Sequence, residues 1–158
     1  MTSPVTFLRR AFVGASVAWF GALPLATFAS SQPSPSSVVY LFAFGTYLVG
    51  SLLCHQRPER SFFLWGSQMP VCARCMGIYA GAATSALALP LVARLKPRAN
   101  DTARGWLIVA VVPTIVTLLF EWITGNTPAN WIRAAAGVPI GVVVAWIVLR
   151  LRPERAEG

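Results

Sequence analysis

Charge is what this chain has least of. Only 11% of its 158 residues are charged, against 56% that are hydrophobic, whereas a soluble domain carries about 25% charged residues. A chain of this size has too little interior to hide so much apolar sequence from water, so lipid is the expected solvent for the surplus. Acidic residues are scarcest, 5 against 13 Lys and Arg, for a formal net charge of +8. Nucleic-acid binding would require a basic face of some extent. Here the arginines are scattered between apolar runs, as flanks of membrane helices are, and no nucleic-acid partner is expected. The sequence has no phosphate-binding loop, no nucleophilic serine elbow and no dinucleotide fingerprint, and no internal repeat. Cysteine and histidine are absent from nearly all of it.

What is present is apolar and periodic. A membrane span needs about 20 mostly apolar residues. Five runs qualify or nearly do: residues 11–29, 38–53 (short), 76–93, 105–124 and 131–149. The expected fold is all-α, a multi-pass transmembrane helical bundle of about five spans, forming one domain. Pro24, Pro90, Pro113 and Pro139 fall inside these runs and read as kinks, since membrane helices tolerate proline where neighbours satisfy the freed carbonyls. The first run has a competing reading. Arg9 and Arg10, the apolar stretch and Thr27-Phe28-Ala29 before Ser30 also resemble a secretory signal with its cleavage site. The organisation expected is an N-terminal span and Ser/Pro linker over 1–37, a four-helix membrane core over 38–149 containing a Cys/His loop at 54–75, and a charged tail over 150–158.

Counting crossings relates the connections. The 54–74 loop follows the second span and the 125–130 turn follows the fourth. If each span crosses once, these two share a side, opposite the basic 94–104 connector and the tail. Gly77-x-x-x-Gly81 and Gly137-x-x-x-Gly141 lie near the loop-side ends of spans three and five. Small residues four apart share a helix face and let backbones approach, so pairing these faces would bring Cys75 near Arg133. Orientation follows from basic residues. If Arg57, Arg60, Arg74 and Arg133 belong to a folded site, the remaining flanks divide two against seven, which favours a cytoplasmic tail and an extracytoplasmic cysteine loop in the cell membrane.

All 3 cysteines and the 1 histidine lie within the loop, as Cys54, His55, Cys72 and Cys75. Scattered structural cysteines would not cluster so. Zinc takes four Cys or His ligands in a tetrahedron. Cys72-x-x-Cys75 at a helix start would supply two, Cys54 a third and His55 or Glu121 the fourth, with His55 the weaker member because it adjoins Cys54. A redox dithiol is the alternative, with Cys72 attacking and Cys75 resolving, its thiolate favoured by the helix N-terminus and nearby arginines. An iron–sulfur cluster usually requires four cysteines. Glu121 is an ionisable residue inside a span, which costs a few kcal/mol unless it is paired. Arg133 is its obvious partner. The bland reading is a structural ion pair; the functional one makes Glu121 a ligand or a base for metal-bound water, with Arg133 beside it. Arg57, Arg60 and Arg74 surround the cysteines, and Asn126 and Asn130 could hydrogen-bond the same region or simply make the turn.

The run from Cys54 to Gly81, C-H-Q-R-P-E-R-S-F-F followed by W-G-S-Q-M-P-V-C-A-R-C-M-G-I-Y-A-G, resembles a family of bacterial and archaeal predicted membrane proteins, domain of unknown function 2085. E-W-I-T-G-N-T-P-A-N-W-I-R-A-A-A-G is similar to the family's second block. The resemblance covers about Leu52 to Gly141. It implies a multi-pass helical protein whose site draws on Cys54, His55, Arg57, Arg60, Cys72, Arg74, Cys75, Asn130 and Arg133, and it implies no reaction. The lead expectation is a zinc site at the membrane surface, with Arg57, Arg60, Arg74 and Asn130 binding a cofactor and Glu121 and Arg133 in a catalytic role. The rivals are a membrane thiol–disulfide oxidoreductase and an accessory subunit of a larger complex. Expected partners are the bilayer and either another membrane protein or further copies of this chain.

Overall fold

Apolar runs bounded by Ser, Pro, Gly and Asn become helices here, and the polar loop between the second and third becomes a hairpin. The computed structural model describes residues 4–92 and 103–150. Its elements in order are α1 (Pro4–Ser30), α2 (Ser37–Leu53), a 3-10 turn (Pro58–Arg60), β1 (Ser61–Leu64), β2 (Ser67–Cys72), α3 (Ala73–Val92), α4 (Ala103–Thr124) and α5 (Asn130–Arg150). The result is a five-helix bundle with one small two-stranded sheet. Helices α1, α4 and α5 are each long and apolar enough to cross a membrane, and α2, at 17 residues, is shorter. The helices run on through Pro24, Pro113 and Pro139, as expected of kinks. Arg94, Lys96 and Arg98 of the basic connector, and the tail beyond Arg150, lie outside the described residues.

The strongest helix contacts run in the order α2–α1–α3–α5–α4. Helices α3 and α5 pack backbone against backbone. A Cβ added to Gly77 or Gly81 would fall on the carbonyls of Ala134 or Val138, and one added to Gly137 or Gly141 would fall on those of Arg74 or Ile78. The two Gly-x-x-x-Gly motifs therefore face each other. In lipid there is little hydrophobic drive between helices, so such close approach supplies association through dispersion. The buried residues have the same character: Ala83, Ala86, Ala110, Ala136 and Ala145 with Thr46, Ser85 and Thr114. Thr114 Oγ1 donates to Ala136 O at 2.9 Å, tying α4 to α5. The outer helices of the row carry most of the exposed apolar side chains, among them Val38 and Leu41 on α2 and Ile108 and Ile123 on α4, as lipid-facing surfaces would.

The hairpin is antiparallel, with Leu64 paired to Ser67 and Ser61 to Cys72, and the register shifts between Ser61 and Phe63. Its two-residue connection has Trp65 at φ 51° and Gly66 at φ 76°. Positive φ at both central positions is what a type I′ turn requires, and this turn matches the twist of the strands it joins. Trp65 is costly there, but its ring meets Phe28 of α1 edge-on at 5.3 Å. Helix α1 thus holds the hairpin from outside. Leu23 of α1 is buried against Met69 and Val71 of β2, and Trp19, Cys54, Phe62, Cys75 and Tyr79 pack around them.

Candidate metal centre

Three separate elements deliver the three cysteines. Cys54 caps the C-terminus of α2 in extended conformation, its N–H bonded to Gly50 O at 2.9 Å. Cys72 ends β2, and Cys75 lies in the first turn of α3. Their sulfurs all lie within 4.8 Å of one another, and all three are free thiols. A tetrahedral ion with Zn–S bonds near 2.3 Å sets its sulfurs about 3.8 Å apart, so the group is close enough to share one ion after a small contraction. The Cys72 N–H donates to Cys54 Sγ at 3.2 Å, fixing the loop end against the strand end. A hydrogen bond from the Cys75 side chain, outweighing burial, pulls the Cys72 thiol down to about 5, which favours its thiolate form.

Side-chain amides hold the loop in this shape. Gln56 adopts φ 46°, and its Nε2 donates to Tyr47 O at 3.0 Å and Pro70 O at 2.7 Å. Gln68 Nε2 donates to Gln56 O at 2.6 Å and Ser61 Oγ at 3.3 Å, while the Tyr47 hydroxyl donates to Gln68 O. Gly50 leaves room for the Pro70 carbonyl, which an added Cβ would strike. Sequence reasoning missed Gln56, Gln68, Tyr47 and Ser61. The available signal was two glutamines in a short loop between apolar helices, where side chains must satisfy backbone groups that no helix or sheet does.

The 54–74 loop and the 125–130 turn lie at the same end of the bundle and touch. Asn130 Nδ2 donates to Ser61 O at 2.8 Å, and Arg60 Nη2 lies 3.5 Å from Glu121 Oε2. Arg133, 2% exposed, forms an ion pair with Glu121, 4% exposed at its side chain. Glu121 is thus engaged by two guanidinium groups and lies outside the sulfur group. His55 is solvent-exposed and also lies outside it, although it lines the same cavity. Asn126 is exposed and its N–H bonds to Thr124 Oγ1 at 3.2 Å, which is turn chemistry.

A cavity of about 500 Å³ opens beside the sulfurs. Cys54, Cys72 and Cys75 line it together with Arg57, Arg60, Arg74 and Arg133. Arg74 Nη2 donates to Thr117 Oγ1 of α4 at 3.1 Å, and Arg57 and Arg60 lie 4.0 and 3.9 Å from Glu59. Nε and Nη1 of Arg133 and Nε of Arg74 are buried without a hydrogen-bond partner. An unmade buried hydrogen bond costs about 1–3 kcal/mol, so these donors are costly to leave as they stand.

A helical bundle faced with apolar side chains, carrying a three-cysteine cluster beside four arginines in one cavity, defines a membrane protein with a built polar site. The chain belongs to the predicted membrane protein family DUF2085, whose profile matches residues 54–147, the stretch from the first cysteine to the last turn of α5. It is 36% identical over 103 residues to an uncharacterized protein of Methanocaldococcus jannaschii, covering 65% of this chain and 65% of that relative's length. It is 35% identical over 94 residues to an uncharacterized protein of Methanothermobacter thermautotrophicus, covering 59% of this chain and 81% of the relative. No solved structure matches it.

Proposed function

We propose that the protein is a multi-pass membrane protein that holds one zinc ion on Cys54, Cys72 and Cys75, at the extracytoplasmic surface of the cell membrane. The observation that carries the reading is the convergence of three sulfurs from α2, β2 and α3 to within 4.8 Å. Thiolate sulfur suits zinc. Three protein ligands leave a fourth position for water, a substrate atom or a reoriented His55, and an open position is the mark of reactive rather than purely structural zinc. Glu121, held between Arg133 and Arg60, serves as their counter-ion and orients both toward the cavity. Because Arg57, Arg60, Arg74 and Arg133 line one site, they are set aside as topological flanks, which supports the outward-facing loop.

One observation favours a second reading. The depressed Cys72 thiol, next to Cys75 at a helix start, suits thiol–disulfide exchange. There Cys72 attacks a partner's disulfide, Cys75 displaces the partner, and the dithiol's two electrons pass to it. Replacing Cys72 by Ser separates the two. In the zinc reading metal content falls sharply, thermal stability falls with it because binding and folding free energies are linked, and a chelator reproduces the loss in the wild type. In the exchange reading stability and chelator response are unchanged, and Cys75 carries any trapped mixed disulfide.

A further inference from the structure

The cavity beside the cysteines holds more positive charge than its neighbours neutralise. Four guanidinium groups line it, those of Arg57, Arg60, Arg74 and Arg133. Two carboxylates answer them: Glu121, shared by Arg133 and Arg60, and the half-exposed Glu59, no closer than 3.9 Å to Arg60. Among the described residues Arg74 has no carboxylate partner, only the Thr117 hydroxyl. The deepest of the four, Arg133, is 2% exposed and still has Nε and Nη1 without an acceptor, and Arg74 has Nε without one. Buried guanidinium donors are ordinarily satisfied, and the unpartnered nitrogens of these two arginines suit the several acceptor oxygens of a tetrahedral oxyanion.

Apolar side chains also line the cavity. Leu53 at the end of α2, Ile78 of α3 and Trp122 of α4 line it together with His55 and Gln56, and Leu53 and Trp122 are 57% and 77% exposed. A volume of about 500 Å³ accommodates a phosphoryl group together with part of what it is attached to.

We propose that this cavity is a binding site for a phosphate-type anion, with Arg133 and Arg74 as its inner donors and Arg57 and Arg60 at its rim. The surplus of positive charge suits an anionic phosphoryl group, and the apolar side chains in the lining suit one carried on an apolar body. The proposal goes beyond the metal reading and does not depend on it, since its donors are guanidinium groups and none is a sulfur. A ligand seated there would lie alongside Cys54, Cys72 and Cys75, within the same cavity.

The test uses the full chain in phosphatidylcholine nanodiscs. Inorganic phosphate is titrated at constant ionic strength against chloride, with the shift in thermal midpoint as readout. In parallel, discs containing phosphatidic acid are examined by native mass spectrometry for retained lipid. Saturable stabilisation by phosphate points to a soluble phosphorylated ligand. Retention of phosphatidic acid without a response to free phosphate points to a lipid headgroup. Either result must weaken about tenfold in Arg74→Gln, the loss expected of one charge-assisted contact. The exposed Arg57→Gln, which leaves the buried ion pair intact, should weaken it by a smaller factor. Zinc content is measured on the same samples, so failure of the metal reading is seen separately. Absence of both responses, or responses equal in wild type, Arg74→Gln and Arg57→Gln, overturns the proposal.

Discussion

Arg133 and Glu121 are the two most deeply buried charges of the site, 2% and 4% exposed at their side chains. A buried ion pair adds little net stability relative to an apolar replacement, but removing one partner strands the other and costs about 3–5 kcal/mol. Arg133→Met should therefore lower the unfolding free energy in detergent by about that much, softened by the remaining Arg60 contact. The double variant Arg133→Met with Glu121→Gln should recover part of the loss. A single variant as stable as wild type would mean that the pair is not buried in the membrane-inserted protein. Cys72 offers a second test. Its folded value lies near 5, so the thiolate persists above that pH and is lost as pH falls through it. In metal-stripped protein, iodoacetamide should alkylate Cys72 well below the range near 8.5 where an ordinary thiol stops reacting. A rate that falls away already through the ordinary thiol range would contradict the short sulfur contacts.

Among the elements, the α3–α5 pair gives the clearest contrast. A Cβ at Gly77 would meet the Ala134 backbone, whereas at Gly45 of α2 nothing lies within 4 Å. Gly77→Ala should cost about 1–3 kcal/mol through overpacking, while Gly45→Ala should stay within about 0.5 kcal/mol of wild type. Equal effects at the two positions would mean that the helices do not pack as described. This contact was legible in the sequence, because small residues four apart state a helix face directly. The helix positions were legible too: the run read at 131–149 is α5, Asn130–Arg150. The hairpin was not. Its turn places Trp at a position where Asn, Asp or Gly is the usual signal, and only the edge contact with Phe28 shows what holds it. The part α1 plays was equally hidden, since an apolar run that seats Leu23 on the hairpin reads the same as one facing lipid throughout. The cysteine cluster was visible from composition, but the glutamine clasp around it was not, because hydrogen bonds between side-chain amides and distant carbonyls leave no periodic trace.

For the whole molecule, the row of helices places apolar outer faces on α2 and α4 and gathers the polar chemistry at one end of the bundle. The sulfurs sit between two unlike surroundings. On one side is the apolar pad of Leu23, Met69 and Val71, which would keep water from an ion held on the sulfurs. On the other is the arginine cavity, whose positive charge would also offset the single negative charge that three thiolates leave on a divalent ion. If the loop faces outward, a membrane-impermeant maleimide should label the metal-stripped site in intact cells and not a cysteine placed at the cytoplasmic tail. The reverse pattern would invert the topology without touching the site.

The measurement that bears most directly on the account is zinc-edge X-ray absorption, with metal quantification, on full-length protein purified in detergent without added metal. The account predicts one zinc per chain, with three sulfur neighbours near 2.3 Å and one lighter neighbour near 2.0 Å, and loss of a sulfur neighbour in Cys72→Ser. Metal-free protein that keeps its full thermal stability in chelator, or bound zinc with no sulfur in its first shell, would contradict it.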